Sequence, residues 1–333
     1  MRNLNKVFII AEIGSVHDGS FGNATKLIEA AAACGVDAVK FQTHIPEAET
    51  LPDAPMPPYF KGEPRFEYFR RTGFTLEQWK QLKQHCDEHG VTFLSSPFSE
   101  EAVDLLEEVG MTQYKIPSGE VTNLPMLEKI ARLGKPAILS SGMSSWDEID
   151  RAVAVIQMHN APLMVMQCTS AYPTPYERVG LNVMQAMAAR YNVPVGLSDH
   201  TLTNYAVFAA VTLGAVVIEK HFTFSRLMYG SDARHSLEPA EMMDLVQGVR
   251  AIERMLAADV EKRTEPYQDM KNIFEKSLVA AMDIPAGTIL TRELVGIKKP
   301  GTGISAARLD EFIGRKVTRD IAVGALLAEE DFR

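Results

Sequence analysis

One arrangement of hydrophobic and polar positions keeps returning along the chain: an amphipathic stretch of helical period, a glycine, a short turn, and then an apolar run ending in small or polar residues. It appears as "CGVDAVKFQT", "HGVTFLSSPF", "VGMTQYKIPSG", "LGKPAILSSG" and "LGAVVIEKHFT". Gly35, Gly90, Gly110, Gly134 and Gly214 stand where a helix C-terminus takes a left-handed residue. "LMVMQCTS" and "PVGLSDH" repeat the strand without the glycine, and "VFIIAEIG" opens the series, so the pattern predicts eight strands. Between them, Thr75–Gln78 and Ser145–Glu148 read as capping boxes. Leu76, Trp79, Leu82 and Cys86 share one helical face. Continuously apolar strands belong to parallel sheets covered on both faces. Eight β-then-α units in about 250 residues predict an α/β chain folded as a (β/α)8 TIM barrel. An open doubly wound sheet would carry a phosphate-binding glycine spacing after strand one, which "EIGSVHDGSFGN" lacks.

Two stretches break the rhythm. Residues 44–74 are long, proline-rich and aromatic, and follow strand two. A long β→α loop lies at the catalytic face of a barrel. Beyond "AIERMLAADVEKRTEPYQDMKN" the helical period stops, and "DIPAGTILTRELV" and "DIAVGALLAEEDF" form a short internal repeat of strand-like content. The organisation predicted is a barrel over 1–258, a linker over 259–272 and a small, mostly β domain over 273–333, small enough to need docking for stability.

Composition narrows the function. The 333 residues carry a net charge of −9, which excludes general affinity for nucleic acid or anionic membrane. An anionic substrate would therefore need local lysine or arginine. No apolar run approaches membrane-spanning length, and "MRNLNKVFII" lacks a leader pattern. Cys34, Cys86 and Cys168 lie far apart without metal-type spacing, as expected of reduced, small core residues in the cytoplasm.

In a barrel the strand C-termini share one mouth. They would bring together Glu12, Lys40 and Gln42, the "SSPF" run with Ser96 and Phe98, and Lys115, Ser118 and Glu120. The later strands add Ser140, Ser170, Tyr172, Ser198, His200, Glu219 and His221. His200 and His221 end neighbouring strands about 4.8 Å apart, close enough to converge on one divalent metal. The alternative is a pair of ordinary hydrogen-bonding histidines. Lys40 and Lys115, with hydroxyls around them, suit a phosphate or carboxylate. Salt bridges to Glu12, Glu120 or Glu219, or a Schiff-base lysine, are the other readings.

The motifs "AEIG", "DAVKFQTH", "YKIPSGE", "LSSGM", "QCTSAYPTP", "GLSDHT", "VIEKHFT", "GSDARHSLEP" and "KKPGTGI" run through the whole chain. In this order they resemble the N-acetylneuraminate (sialic acid) synthase family, which also holds legionaminate, pseudaminate and spore-coat polysaccharide synthases. The resemblance implies a (β/α)8 barrel followed by an antifreeze-like (SAF) domain. It also implies condensation of phosphoenolpyruvate with an N-acylated hexosamine aldehyde (N-acetylmannosamine or a 6-deoxy diacetamido relative) and water. It puts phosphoenolpyruvate on Lys40, Ser96, Lys115, Ser118, Ser140, Ser170 and Ser198, and the sugar on Glu12, Gln42, Phe98, Glu120, Tyr172, Asp232 and Lys299. Catalysis would rest on Glu12, Lys40, Lys115 and Glu120. His200 and His221 would ligate a divalent metal, manganese first, magnesium or cobalt otherwise. It further implies a homodimer with swapped C-terminal domains, and Lys299 reaching the partner's mouth. The chain departs from the family pattern at Val16, Ser170, Ala233 and Lys299, where Asn, Asn, His and Arg are usual. Two other functions compete: a Schiff-base aldolase or lyase of 2-keto sugar acids, and a non-catalytic sugar-binding protein.

Overall fold

A computed structural model describes residues 6–55, 63–263 and 265–333. The chain divides into two compact units, Met1–Ala258 and Asp259–Arg333. In the first, eight parallel strands alternate with helices. They are β1 (Phe8–Gly14), β2 (Ala38–Thr43), β3 (Thr92–Pro97), β4 (Tyr114–Ile116), β5 (Ala137–Ser140), β6 (Leu163–Cys168), β7 (Val195–Asp199) and β8 (Val217–His221). The hydrogen-bonded order is β3-β2-β1-β8-β7-β6-β5-β4, and β3 and β4 lie side by side to bring the sheet round to a nearly closed barrel. The helices are α1 (Phe21–Ala33), α2 (Pro46–Glu49), α3 (Arg65–Thr72), α4 (Leu76–Glu88), α5 (Glu100–Val109), α6 (Leu124–Arg132), α7 (Trp146–Met158), α8 (Leu181–Tyr191), α9 (Tyr205–Thr212) and α10 (Pro239–Ala257).

Local chemistry sets these boundaries. Both expected capping boxes form: Thr75 and Gln78 open α4, and Ser145 and Glu148 open α7. All five strand-preceding glycines have positive φ; at Gly110 this is the C-cap of α5 itself. A side chain there would be strained. The proline-rich stretch after β2 is more ordered than a loop. Pro46 opens α2, and the aromatic run "RFEYFRRT" forms α3, burying Phe66 and Tyr68. Residues 56–62 of that stretch lie outside the described residues.

Alternation along the strands builds the barrel interior in layers. Ile10, Ala38, Leu94, Ile138, Met166 and Val217 form a buried apolar layer across the bore. A larger apolar shell, including Ile9, Leu27, Val39, Leu82, Leu139 and Ile218, packs between strands and helices.

The second unit holds α11 (Gln268–Phe274), which begins in what the sequence reads as linker and runs past its end, then an antiparallel pair, β9 (Ser277–Ala280) and β10 (Val295–Lys298). Its separate core contains Leu278, Ile284, Leu290, Phe312, Ile321 and Leu327. The two copies of the repeat meet at the Ile284–Ile321 bridge, which exchanges backbone hydrogen bonds in both directions. No helix among the described residues is long and apolar enough to cross a membrane.

Candidate active site

Two residues beyond each member of the apolar layer stands a polar or reactive one: Glu12, Lys40, Ser96, Ser140, Cys168 and Glu219. Lys115 and Ser198 complete this second layer from β4 and β7. One further step along the strands come Gln42, Phe98, Ser170, His200 and His221. The run "VIEKH" thus divides by period two. Glu219 and His221 face the bore, while Lys220 faces the helices, where it pairs with Asp199 and donates to the carbonyls of Thr201 and Thr203.

The second layer is a buried charge network. Lys40 Nζ lies 2.8 Å from Glu12 Oε2 and 3.7 Å from Glu219 Oε2, and donates to Ser96 Oγ at 3.2 Å. Lys115 Nζ donates to Ser140 Oγ at 2.7 Å and to Glu219 Oε1 at 3.1 Å. Ser198 Oγ donates to the same Glu219 oxygen at 3.0 Å. Burial alone would raise the Glu219 carboxyl, but Lys115 and Lys40 outweigh it and hold it near 2. Glu12 goes the other way. Burial, with Glu219 adding to it, overcomes Lys40 and pushes its carboxyl up to about 7. Against burial, Glu12 and Glu219 raise Lys40 above its ordinary value, whereas burial, with Lys40 adding to it, lowers Lys115 below its own. The salt-bridge reading of the lysines thus holds for Glu12 and Glu219, and two lysines with hydroxyls around them still suit an anion.

Above this layer is a cavity of about 430 Å³. Its lining brings together Glu12, Lys40, Gln42, Phe98, Lys115, Ser118, Ser140, Ser170, Tyr172, Ser198, His200, His221 and Asp232, all expected at the site. Two expected residues stand elsewhere in the barrel, and a third is in the second unit. Ser96 is fully buried behind Lys40. Glu120 is outside the lining, its carboxylate accepting from Asn123 Nδ2 at 2.8 Å. Lys299 belongs to the second unit, its Nζ 4.8 Å over the Phe274 ring.

Gly14 has φ +53°, and a Cβ there would come within 2.9 Å of Asp232 Oδ2 and 3.3 Å of Gln42 Nε2, so its bareness leaves room for both. Gln42 Nε2 donates to Glu12 Oε1 at 2.8 Å, while Gln42 Oε1 faces His44 Nε2 at 3.2 Å. His44 Nδ1 meets the Glu49 carboxylate at 2.8 Å. The His44 ring is stacked between Phe69 and Phe98, with centroids 3.6 and 4.1 Å away.

His200 and His221 have ring centroids 5.3 Å apart, and Tyr172 lies 4.3 Å from the His200 ring. His200 Nδ1 is 3.0 Å from the Thr169 carbonyl and, since a carbonyl only accepts, donates to it; burial lowers His200, but Cys168 and that carbonyl outweigh it and raise it above its ordinary value. His221 Nδ1 is buried with no hydrogen-bond partner. Burial, with His200 and Lys40 adding to it against Asp232, lowers His221 to about 4, so its imidazole is neutral at physiological pH. Two imidazoles, one braced at its second nitrogen and one neutral with an orphaned nitrogen, fit a divalent metal, with the Asp232 carboxylate in the same lining.

Sequence reasoning missed part of this wall. His44, Arg65, Tyr68, Phe69, Ser231 and His235 also line the cavity. His44, two residues beyond Gln42 on the same face, had a signal, as did Ser231 and His235, which stand beside Asp232 in "GSDARHSLEP"; Arg65, Tyr68 and Phe69 had none. Cys168, expected as a plain core residue, is buried but lines the cavity, because it stands two residues beyond Met166.

The profile of the NeuB family matches residues 27–261, and that of the SAF domain matches residues 275–333. The chain is 40% identical over 334 residues to the N,N'-diacetyllegionaminic acid synthase of Campylobacter jejuni, covering 98% of this chain and 100% of that protein. It is 34% identical over 330 residues to the N-acetylneuraminate-9-phosphate synthase of Homo sapiens, covering 97% and 92%. The crystal structure of an N-acetylneuraminic acid (sialic acid) synthetase from Leptospira borgpetersenii, in complex with citrate, superposes with a TM-score of 0.70 at 30% identity. That match covers 81% of this chain and 93% of the other.

Proposed function

The chain belongs to the NeuB family, and we propose that it condenses phosphoenolpyruvate with an N-acylated hexosamine aldehyde and water to give a nonulosonic acid and phosphate. The observation that carries this reading is the pair of buried lysines sharing Glu219 beneath two histidines. It is a cationic floor for a dianion, facing a carbonyl-activating wall.

In this reading Lys40, Lys115, Ser118, Ser140, Ser170 and Ser198 take the phosphate and carboxylate of phosphoenolpyruvate, with Ser96 holding Lys40 in place. His200 and His221 would hold a divalent metal, manganese first, which when bound supplies Lewis-acid polarisation of an aldehyde oxygen. Gln42, Tyr172 and Asp232 orient the sugar, and Phe98 with Phe69 gives its acyl or deoxy groups an apolar wall. C3 of the enol bonds to the aldehyde carbon, whose oxygen takes a proton. Water adds at C2 and loses one proton; the resulting C2 hydroxyl loses its other proton as the ketone forms, and the C2–O bond to phosphate breaks with its electron pair leaving on phosphate. Glu12, titrating near 7, suits these proton movements. Glu120 is less well placed, since Asn123 holds it outside the cavity lining. The legionaminic acid synthase relative favours a 6-deoxy diacetamido sugar over N-acetylmannosamine.

The same reading includes a homodimer that exchanges second units, with Lys299 entering the partner's mouth. Its support is the family and the "KKPGTGI" loop that carries Lys299. Lysine has no planar fork to grip an N-acyl amide, so Lys299 would recognise it through a single charge.

The test is phosphate release from phosphoenolpyruvate and manganese against a panel of acylated aminosugars. Release with at least one is expected. No release with any of them overturns the reading, as would turnover that survives chelation and leaves a borohydride-trapped lysine adduct.

A further inference from the structure

A second cluster of metal-binding side chains lies on the outer helical layer, on residues that take no part in the barrel mouth. Helices α1 and α4 pack side by side; they connect β1 to β2 and β2 to β3. Glu29 projects from α1, His85 from the last turn of α4, and His89 caps that helix one turn later. One donor atom from each lies within 4.8 Å of those of the other two.

Oxygen atoms stand around both imidazoles. His89 Nδ1 is 2.9 Å from the His85 carbonyl, so it carries the proton and leaves the lone pair on Nε2. His85 lies between two carboxylates, with Nδ1 3.8 Å from Glu88 and Nε2 turned toward Glu29. His85 Nε2 is buried, makes no hydrogen bond, and stands 3.3 Å from Glu29 Oε1. A carbonyl or carboxylate behind each ring is the usual support of a metal-bound histidine. Two imidazoles and one carboxylate are also a donor set for zinc, with its fourth position open to water. Nitrogen donors of this kind disfavour magnesium and calcium. The two ring centroids are 4.4 Å apart. Lys26, which pairs with Glu29 at 2.8 Å, is 67% exposed and free to swing aside.

We propose that Glu29, His85 and His89 form a zinc-class cation site that fastens α1 to α4. The two helices it joins flank β2, the strand bearing Lys40 and Gln42, so the ion would stiffen the wall behind the charged layer without touching substrate.

The test uses the full chain, stripped of metal and titrated with zinc against a chromogenic chelator. Wild type is compared with His89→Ala and Glu29→Gln. His200 and His221 are present in all three proteins, so any zinc they take cancels from the comparison. Wild type should hold one more zinc per chain than His89→Ala, and zinc should raise its unfolding temperature by more. Glu29→Gln should weaken the extra site at least about tenfold. Both positions are exposed enough to change without disturbing the core. Equal zinc stoichiometry and affinity in wild type and His89→Ala would overturn the proposal, as would an unchanged affinity in Glu29→Gln.

Discussion

Two carboxylates 3.7 Å or less from the same ammonium group titrate in opposite directions, and each leaves its own mark on stability. Glu12 reaches about 7, above its ordinary 4.5, through burial and its neighbour Glu219. The folded chain keeps a proton there that the unfolded chain releases. This stabilising contribution is full below about 4.5 and is lost as pH rises through 7. Glu219, held near 2 by Lys115 and Lys40 against burial, stabilises above 4.5 and loses that contribution as pH falls through 2. Glu12→Gln should therefore remove much of the decline in unfolding temperature between pH 5 and 8, on the order of 3 kcal/mol, as read by thermal melts across that range. Its kcat/KM should fall at every pH. Lys115→Met leaves Glu219 with Lys40 alone, and should lower stability by about 3–5 kcal/mol. It should also reduce kcat/KM by about 10²- to 10⁴-fold. Unchanged phosphoenolpyruvate affinity by calorimetry would contradict the role given to Lys115. His221→Ala should abolish metal-dependent turnover while leaving the circular dichroism spectrum intact. Most of these residues were legible in the sequence, because an ionisable side chain ending an apolar strand is costly anywhere but at a site. Arg65, Tyr68 and Phe69 were not, since they reach the cavity from a segment whose path only tertiary packing decides.

Among the elements, strands and caps were readable because their signals are local: period two, capping boxes, and glycines at positive φ. The segment after β2 was not. Its prolines and aromatics read as loop, yet α3 is held by burial of Phe66 and Tyr68 rather than by propensity. That burial brings Phe69 over His44 and ties α2 to the end of β2 through Glu49. Glu49→Gln should loosen this tie and disturb the Gln42 amide, raising the sugar KM more than that of phosphoenolpyruvate. A uniform loss would assign Glu49 to folding alone. The turn after β5 is tighter still. Gly142 has φ +37°, and a Cβ there would sit 2.0 Å from Ser118 Cβ and 3.0 Å from Ser170 Oγ. Gly142→Ala should displace both serines and raise the phosphoenolpyruvate KM. Gly22 in the first turn of α1 has nothing within 4 Å of its Cβ position. Gly22→Ala should stabilise the fold by about 0.5–1 kcal/mol with kinetics unchanged, a contrast that steady-state assays and melts resolve together.

For the whole molecule, the two units have separate cores, and the sequence marked the change by loss of helical period and by the internal repeat. What sequence alone did not reveal is that α11, a helix of its own, begins in the stretch read as linker. If second units are exchanged in a dimer, Lys299→Ala and His221→Ala chains should each be poorly active alone and regain activity when mixed under subunit exchange. A fully active monomer by light scattering would rule that arrangement out. The apolar layer of Ile10, Ala38, Leu94, Ile138, Met166 and Val217 bears on the barrel in another way. It is a hydrocarbon stopper directly beneath the charges. Field lines from Lys40 and Lys115 therefore leave the barrel through the mouth, as from a conductor insulated on one side. Met166→Gln would breach that insulation, and its signature would be a weaker salt dependence of phosphoenolpyruvate capture.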